Sequence, residues 1–578
     1  MEADSDLTAT VPSGLRARYP PDMATMTNGD QAKKQPSSYD ADSSHPPHEG
    51  TPLLPAFDPL NGKQPTLPST SSQLAPWEAW EHLPRWRRPS IYWLVAPFSL
   101  FTLAFGTTLV PKINLILVLI CRDHAASMNP MQPMGTHSRR LEDLPSVESP
   151  LCRNPDVQVL VAQFALVCTL LAGISSAFTS PVIGALSDRY GRTRLIVLAT
   201  LGAFASELLT VAAARMPDVV SVQWIMFGFV LDGICGSFIA IMAINHAYAT
   251  DITPPLQRNV VFGFFHGCLF AGIAFGPILG GYITQWSGSL VTVFYFAIAA
   301  HAVFMLSMLF LVPESLTKER QLAARELPYK IYAPLGVLWP ELTAASPLLR
   351  RNLVLLAAAD TISFGVAMGA MTVTILYGEL RFGWGNLESS RFLSAVNISR
   401  VANLLIGLPV LNRIFRSRAS SKADGTPTSA VSRGSDALDV GIIRFSFAIE
   451  LLGFIGYAAA PTGPLFVLAG VVASLGGIGS PTMQSSLTKH VPAHLTGQLL
   501  GATGLLHAIA RVVTPSVFNL LYARTVRYAP QTVFVCFAAM FFLGNLAALG
   551  IRKHAYNEME KGGSEGDRVG SVSGELHE

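Results

Sequence analysis

The chain has 578 residues, of which 50% are hydrophobic and only 14% are charged. Soluble globular domains carry about a quarter of charged residues, so this composition excludes an ordinary soluble protein. The formal net charge of +3 comes from basic residues that flank apolar segments, and it therefore indicates no nucleic-acid partner.

Residues 1–84 are polar, rich in Pro, Ser, Thr and Asp, and without apolar periodicity. Such a segment cannot bury enough apolar surface to fold, which predicts a disordered tail. No apolar core follows the first residues, so the sequence does not predict a secretory signal peptide.

Twelve apolar segments follow, each long enough to cross a bilayer. Because backbone polar groups must be satisfied within lipid, segments of this length are expected to be helices. They lie near residues 91–118, 157–183, 195–213, 222–248, 260–284, 290–312, 352–377, 390–411, 440–460, 464–484, 498–522 and 530–551.

The segments divide into two sets of six. We predict an all-α integral membrane protein with twelve transmembrane helices in two six-helix bundles. Its parts are a disordered cytoplasmic N-terminal tail (1–84), a first bundle (85–312), a cytoplasmic central loop (313–351), a second bundle (352–551) and a disordered cytoplasmic C-terminal tail (552–578).

Basic residues predict the orientation of these helices. Arginines precede the first segment, follow the second and fourth, and recur in the central segment as Arg350 and Arg351. Short loops rich in Arg and Lys face the cytoplasm, so both termini and the central loop are expected there. Arg524 and Arg527, after the eleventh segment, and Arg139 and Arg140, in the loop after the first segment, are exceptions to the pattern.

That loop is bounded by two cysteines. Cys121 and Cys152 flank the polar stretch between the first and second segments. They can form a disulfide if the loop faces an oxidising space, and the sequence leaves this open.

The connection between the second and third segments runs from Gly184 to Arg194. We predict a turn of about ten residues, in which glycines permit a tight reversal and Asp188 pairs with an arginine or caps a neighbouring helix. An ordinary basic loop would need neither the acid nor the glycine spacing. The G-x-x-x-D-R-x-G-R pattern resembles the cytoplasmic signature of the major facilitator superfamily, and it is formed by Gly184, Asp188, Arg189, Gly191 and Arg192.

The resemblance implies a role for the acid. In that superfamily the matching residue contacts the cytoplasmic start of helix eleven, where the helix dipole favours negative charge. Here the eleventh segment begins after Thr496, a residue type favoured at a helix N-cap. We therefore expect Asp188 to close the cytoplasmic side through this contact.

The stretch between helices four and five reads Ala-Tyr-Ala-Thr-Asp-Ile-Thr from Ala247, followed by Arg258. It resembles the tetracycline-resistance branch of drug:proton antiporters, which makes Asp251 and Arg258 candidate functional residues. One departure stands out. These antiporters carry R-x-x-x-G in helix four, whereas Gly233 is preceded by Phe229, so the proton-transfer role of that arginine does not carry over.

The fifth segment is rich in glycine. Glycines four residues apart share a helix face and allow close packing, and a proline within the helix favours a kink. A plain packing face is one interpretation. The order also resembles the fifth-helix antiporter signature G-x8-G-x3-G-P-x2-G-G, formed by Gly263, Gly272, Gly276, Pro277, Gly280 and Gly281.

The two halves show a weak internal repeat. After the eighth segment, Gly407 to Arg416 occupies the place that the Gly184 segment has in the first half, with Asn412 instead of the acid. Repeated halves are typical of transporters whose binding site lies between them.

Ionisable side chains within the segments are candidate site residues because they are costly in lipid. We expect Asp360 to pair with Arg400, and Asp232 and Asp360 to carry protons, although static ion pairs are the alternative. His246 and His266 are expected near the cytoplasmic ends, where they make local hydrogen bonds. The candidates are Asp232, Asp360, Arg400, Glu450, His507 and Arg511.

The sequence contains no phosphate-binding loop, no catalytic signature and no Cys/His set with metal-ligand spacing. We expect no cofactor, no metal and no enzymatic activity.

The main prediction is a secondary transporter that exports a small organic compound against proton entry, with a central site lined by Asp232, Asp360, Arg400 and Arg511. A proton-coupled importer and a non-transporting sensor remain alternatives. The expected partners are a small-molecule substrate, protons and the bilayer of a plasma or vacuolar membrane, with a monomeric protein.

Overall fold

The computed structural model describes residues 79–553, apart from 81, 85, 129–151, 153–154, 327–332, 339–346, 385 and 421–433. The predicted disordered tails therefore lie almost entirely outside the described residues, as does about a third of the central loop.

The described part of the chain is built from α-helices, with no strand among its residues. In chain order the helices are α1 (Ile91–Met128), α2 (Pro155–Tyr190), α3 (Arg192–Arg215), α4 (Gln223–Ile234), α5 (Ser237–Ile252), α6 (Arg258–Ser287), α7 (Val291–Phe310), α8 (Lys318–Glu326), α9 (Ala333–Leu338), α10 (Pro347–Phe382), α11 (Asn386–Ala402), α12 (Leu408–Ser420), α13 (Ala437–Ala459), α14 (Gly463–Leu475), α15 (Gly479–Lys489), α16 (Thr496–Thr525) and α17 (Thr532–Gly550).

Eleven helical stretches of the described chain are long and apolar enough to cross a membrane. Helix α13 corresponds to the remaining predicted segment and carries Arg444 and Glu450. Its 23 residues rise about 34 Å, which is enough to span a bilayer. The all-helical membrane fold predicted from the sequence is confirmed.

Three of the twelve predicted segments are interrupted. The fourth consists of α4 and α5, which meet at Gly236 (φ 91°) and Ser237 (φ 57°). The tenth consists of α14 and α15, separated by a 3-10 turn at Gly476–Ile478. The eighth consists of α11 and α12, joined by a π-helical turn at Asn403–Gly407. The fourth helix of each half is thus broken within the apolar region.

The predicted turn of ten residues after the second segment is wrong. Helix α2 continues to Tyr190 and α3 begins at Arg192, so Gly191 alone separates them. Gly191 has φ 99°, a conformation that glycine adopts without a steric penalty. The reversal therefore needs one residue, and Asp188 lies in the last turn of α2.

An internal repeat links α5–α6 with α15–α16. The same spacing separates three pairs of residues, which are Pro254 and Pro492, Gly263 and Gly501, and Pro277 and Pro515. A second repeat relates the ends of α2 and α12. Asp188 contacts the start of α16, and Asn412 donates a hydrogen bond of 3.4 Å to the carbonyl of Leu256, just before α6.

Candidate functional site

Asp188 joins α2 to the start of α16. Its carboxylate accepts hydrogen bonds from the backbone amides of Gly497 (3.2 Å) and Gln498 (3.1 Å). Thr496 is the first residue of α16 and provides no side-chain cap, so the expectation that it is the N-cap is wrong. Asp188 supplies that interaction from another helix, and we call this the Asp188 contact.

Glycines bring the two helices together at this point. A Cβ at Gly184 would lie 2.8 Å from the Cα of Gly501, so no larger residue fits without displacing α16. A Cβ at Gly497 would lie 2.6 Å from both carboxylate oxygens of Asp188. The Asp188 contact therefore depends on backbone approach as well as on charge.

Arg192 connects the Asp188 contact to α5 and to the segment after α7. Its guanidinium is fully buried and pairs with Asp188 at 2.7 Å and with Asp251 at 3.0 Å. Asp251 also pairs with Arg320 of α8 at 3.3 Å. The Glu314 carboxylate accepts hydrogen bonds from the amides of Arg192 and Thr193, and so caps α3.

The two remaining basic residues of these motifs, Arg258 and Arg189, make hydrogen bonds that involve backbone carbonyls. Arg258 donates to the carbonyls of Thr253 and Thr250 and lies 3.4 Å from that of Thr488 in α15, which links the two halves. Arg325 donates to the carbonyl of Arg189. The signature residues thus form one connected group of contacts at the end of the molecule that carries Asp188.

The glycines of α6 fall into two groups. Gly272, Gly276 and Gly280 pack directly against the backbone of α1 at Thr102, Gly106 and Thr107, so a Cβ at any of them would overlap it. Gly263 instead faces Leu404 and Leu408, and Gly281 has open space around it. Three of the signature glycines therefore serve close packing, and α6 remains helical through Pro277.

A cavity of about 220 Å³ lies between the two sets of helices. Most of its wall is aromatic or aliphatic, with Phe and Met side chains from α5, α6, α10, α11, α13 and α17. Its ionisable and amide-bearing wall residues include His246, His266, Arg400, Glu450, Gln484 and His507. Of the four residues predicted to line the site, only Arg400 does so.

Asp360 lies behind this wall and pairs with His507, not with Arg400 as expected. Its Oδ2 is 3.0 Å from His507 Nε2, and its Oδ1 accepts a hydrogen bond of 3.0 Å from Ser480. The Asp360 side chain is only 1% exposed. The predicted pairing fails because His507 and Ser480 lie between Asp360 and the cavity, whereas Arg400 packs over the ring of Phe270 at 4.8 Å.

Asp232 and Arg511 meet beside the break between α4 and α5, outside the cavity wall. Arg511 donates a hydrogen bond of 3.3 Å to Ser237 Oγ and interacts electrostatically with Asp232. Nearby, Lys112 of α1 pairs with Glu207 of α3 at 3.0 Å. Sequence reasoning missed this pair, although a Lys and a Glu within apolar segments were a visible signal.

His246 and His266 lie in the cavity wall, six residues before the end of α5 and eight residues after the start of α6. Their rings stack with centroids 5.3 Å apart, and His246 also stacks on Phe262 at 4.1 Å. His266 Nδ1 lies 3.0 Å from the carbonyl of Phe262, so the expected local hydrogen bond is present for this residue. No sequence signal placed these rings at the cavity.

Cys121 and Cys152 are joined by a disulfide in the structure. Both residues are buried, so the bond ties the end of α1 to the start of α2. Among the described residues, no group of three or more His, Cys, Asp or Glu side chains is arranged to hold a metal ion.

A family model described as the Major Facilitator Superfamily matches residues 150–515. The MFS-type transporter avaJ of Aspergillus versicolor is 29% identical, over 80% of this chain and 90% of that protein. The class H tetracycline resistance protein of Pasteurella multocida is 25% identical, over 64% and 82% of the two chains.

Two further comparisons concern coupling and fold. The proton-coupled folate transporter of Bos taurus is 22% identical, over 67% of this chain and 78% of that protein. The solved structure of the human organic anion transporter MFSD10 (TETRAN) aligns with a TM-score of 0.60 and 17% identity, over 81% of this chain and all of that one. At this identity the structural likeness concerns the fold alone.

Proposed function

The chain belongs to the major facilitator superfamily, a family of membrane transporters and not of enzymes, and we propose that it exports a small organic compound in exchange for protons. The observation that carries the proposal is the Asp360–His507 pair, which adjoins a cavity between the two halves. A carboxylate and an imidazole at 3.0 Å can hold one proton between them and release it when their surroundings change.

Helix α16 supports a link between this pair and the ends of the molecule. The Asp188 contact holds its first turn, and His507 follows about 16 Å further along the helix axis. Arg511 comes one turn later and reaches Ser237 in the other half. We infer that α16 carries the movement by which one end opens while the other closes.

In the proposed cycle a proton binds the Asp360–His507 pair from the side opposite the Asp188 contact. Rocking of the halves breaks that contact, the proton leaves to the cytoplasm, and substrate enters the cavity from there. The return movement exposes the substrate to the opposite side. One proton thus moves inward for each substrate that moves outward.

Export is favoured by the matches to tetracycline resistance proteins. A proton-coupled importer is the second candidate, since proton-coupled folate transporters of two mammals also match. Both use the same cavity and proton site and differ only in the direction of substrate flux. A sensor without transport has no support of this kind.

We further propose that both termini and the central loop are cytoplasmic, because Arg189 and Arg192 lie at the reversal after α2, Arg350 and Arg351 lie in the central segment, and short basic loops face the cytoplasm. The disulfide-bonded loop after α1 then faces an oxidising space, as disulfides require. A plasma or vacuolar membrane and a monomeric protein fit this arrangement.

Flux in sealed proteoliposomes tests the proposal. Vesicles loaded with a fluorescent pH indicator are given tetracycline, 2-quinolone, tryptophan or 2-naphthoate, with and without a pH step. We expect at least one compound to move against the proton flow and to change the internal pH. Compound movement along with the protons would favour the importer. Flux that is identical with and without the pH step would contradict proton coupling.

A further inference from the structure

Two oppositely charged side chains, those of Glu450 and Arg400, lie beside the break in the tenth segment and face the cavity. A Cβ at Gly476 would overlap the side chain of Glu450, and a Cβ at Gly477 would lie 2.9 Å from Arg400 Cγ and 3.1 Å from its Nε. The two adjacent glycines therefore make room for these two side chains. Both charged residues belong to the cavity wall.

Neither charge is satisfied by the protein. Within the described residues, Glu450 makes no hydrogen bond or salt bridge although it is only 7% exposed, and Arg400 Nε is buried without a hydrogen-bond partner. Arg400 and Glu450 are close enough to interact electrostatically but form no salt bridge with each other. Glu450 is buried, whereas Arg400 is half-buried with its Nε enclosed. Buried charges are normally paired, so the unpaired Glu450 carboxylate and Arg400 Nε are unusual.

The two side chains have opposite bonding requirements. A guanidinium only donates hydrogen bonds, and a carboxylate only accepts them. A ligand that satisfies both must present an acceptor to Arg400 and a donor to Glu450. A simple anion would be repelled by Glu450, and a simple cation by Arg400.

The remaining wall residues indicate the chemical character of the rest of such a ligand. Phe270 lies under the Arg400 guanidinium at 4.8 Å, and Phe364 stacks on His507 at 4.3 Å. Aromatic rings favour flat, apolar surfaces in stacked or edge-on contact. A ligand with one polar edge and an aromatic body matches both features.

We propose that Arg400 and Glu450 form a two-point recognition site for an aromatic substrate without net charge, whose polar edge carries a hydrogen-bond acceptor beside a donor. A lactam N–H and C=O meet this requirement, and so do the carboxylate and ammonium of an aromatic amino acid. The inference rests on the proposed function only in taking the cavity as the substrate site.

Equilibrium binding to the purified protein in detergent tests the inference without depending on proton coupling or direction. Four aromatic probes of similar size are compared: 2-quinolone (adjacent donor and acceptor), N-methyl-2-quinolone (acceptor only), 2-naphthoate (anion) and tryptophan (zwitterion). We expect 2-quinolone or tryptophan to bind, with N-methyl-2-quinolone and 2-naphthoate at least about tenfold weaker, as for the loss of a hydrogen bond to a charged group. Binding of 2-quinolone would identify a lactam, and binding of tryptophan an aromatic amino acid, as the group that supplies the donor and the acceptor.

Conservative variants assign the preference to these residues. Glu450→Gln supplies a donor as well as an acceptor, so the ratio of 2-quinolone to N-methyl-2-quinolone affinity should fall severalfold. Arg400→Gln should weaken both probes. Glu379→Gln and Arg391→Gln, at exposed positions on α10 and α11, are the matched controls and should leave the ratio unchanged.

Three outcomes would overturn the inference: tighter binding of 2-naphthoate than of 2-quinolone and tryptophan, an unchanged ratio in Glu450→Gln with normal thermal stability, or no binding of any probe at millimolar concentration. Proton-driven flux of some other compound, measured in vesicles, would then leave the transport proposal standing.

Discussion

At the scale of single residues, Asp188 combines two tasks. It neutralises Arg192, and it accepts two hydrogen bonds from the start of α16. Charge-assisted hydrogen bonds of this kind are about twice as strong as neutral ones. Replacement by asparagine keeps the shape of the side chain and removes the charge.

We predict that Asp188→Asn reduces the initial rate of pH-driven flux at least about tenfold. The reason is that a loss of about 1.4 kcal/mol of stabilisation from the closed state shifts the equilibrium between the closed and open states tenfold. The amount of protein inserted in the membrane should not change. Asp218→Asn is the control, since that side chain is 72% exposed. Normal flux in Asp188→Asn would remove the proposed role of the contact.

Asp360 allows a separate prediction. An asparagine side chain at this position cannot bind a proton, and it leaves His507 without an anionic partner. Asp360→Asn should therefore abolish the response of flux to a pH step while substrate exchange at equal pH continues. Asp123→Asn, on an exposed side chain of α1, should retain both activities. If Asp360→Asn kept its response to the pH step, the proton would have to bind elsewhere.

At the scale of helices, two glycines of α6 allow a test of whether the signature glycines serve close packing. Gly276 meets the backbone of α1 and Gly281 meets nothing within 4 Å. Overpacking of a close contact costs about 1–3 kcal/mol. We therefore predict that Gly276→Ala lowers the thermal unfolding midpoint of the purified protein by several degrees. Gly281→Ala should leave that midpoint unchanged or raise it, because alanine favours a helix more than glycine does. An equal decrease in both variants would contradict this packing.

The sequence predicted the number and approximate position of the helices, because length and apolarity are local properties. It failed at the reversal after α2, because the helix continues through Gly184 and Asp188 under the influence of α16, which is remote in sequence. The sequence also did not predict the break between α4 and α5 at Gly236 and Ser237, because the residues around the break resemble those of the neighbouring helices in composition.

The candidate site was predicted less well than the fold. Asp188 and the start of α16 were matched by a known signature, and that contact is present. The partner of Asp360 was not predictable, because three helices meet there and the sequence does not specify which faces are opposed. Glu450 and Arg400 were both noted as charges in apolar segments, but only their positions beside Gly476 and Gly477 indicate a shared task.

At the scale of the whole molecule, helix α16 contacts the other half at two points along its length. The Asp188 contact joins α2 to α16 at one end, and Arg511 joins α16 to Ser237 further along. If the halves rock as rigid bodies, loss of the first contact must open one end and close the other.

Distances between spin labels at the two ends test this rocking most directly. Cysteines for labelling replace Tyr190 and Phe415 at the Asp188 end, and Met216 and Tyr528 at the other, all of them exposed positions, in a variant without the four free cysteines. Compared with the protein that retains Asp188, Asp188→Asn should show a longer Tyr190–Phe415 distance and a shorter Met216–Tyr528 distance. Unchanged distances, or a change of the same sign at both ends, would contradict alternating access around this cavity.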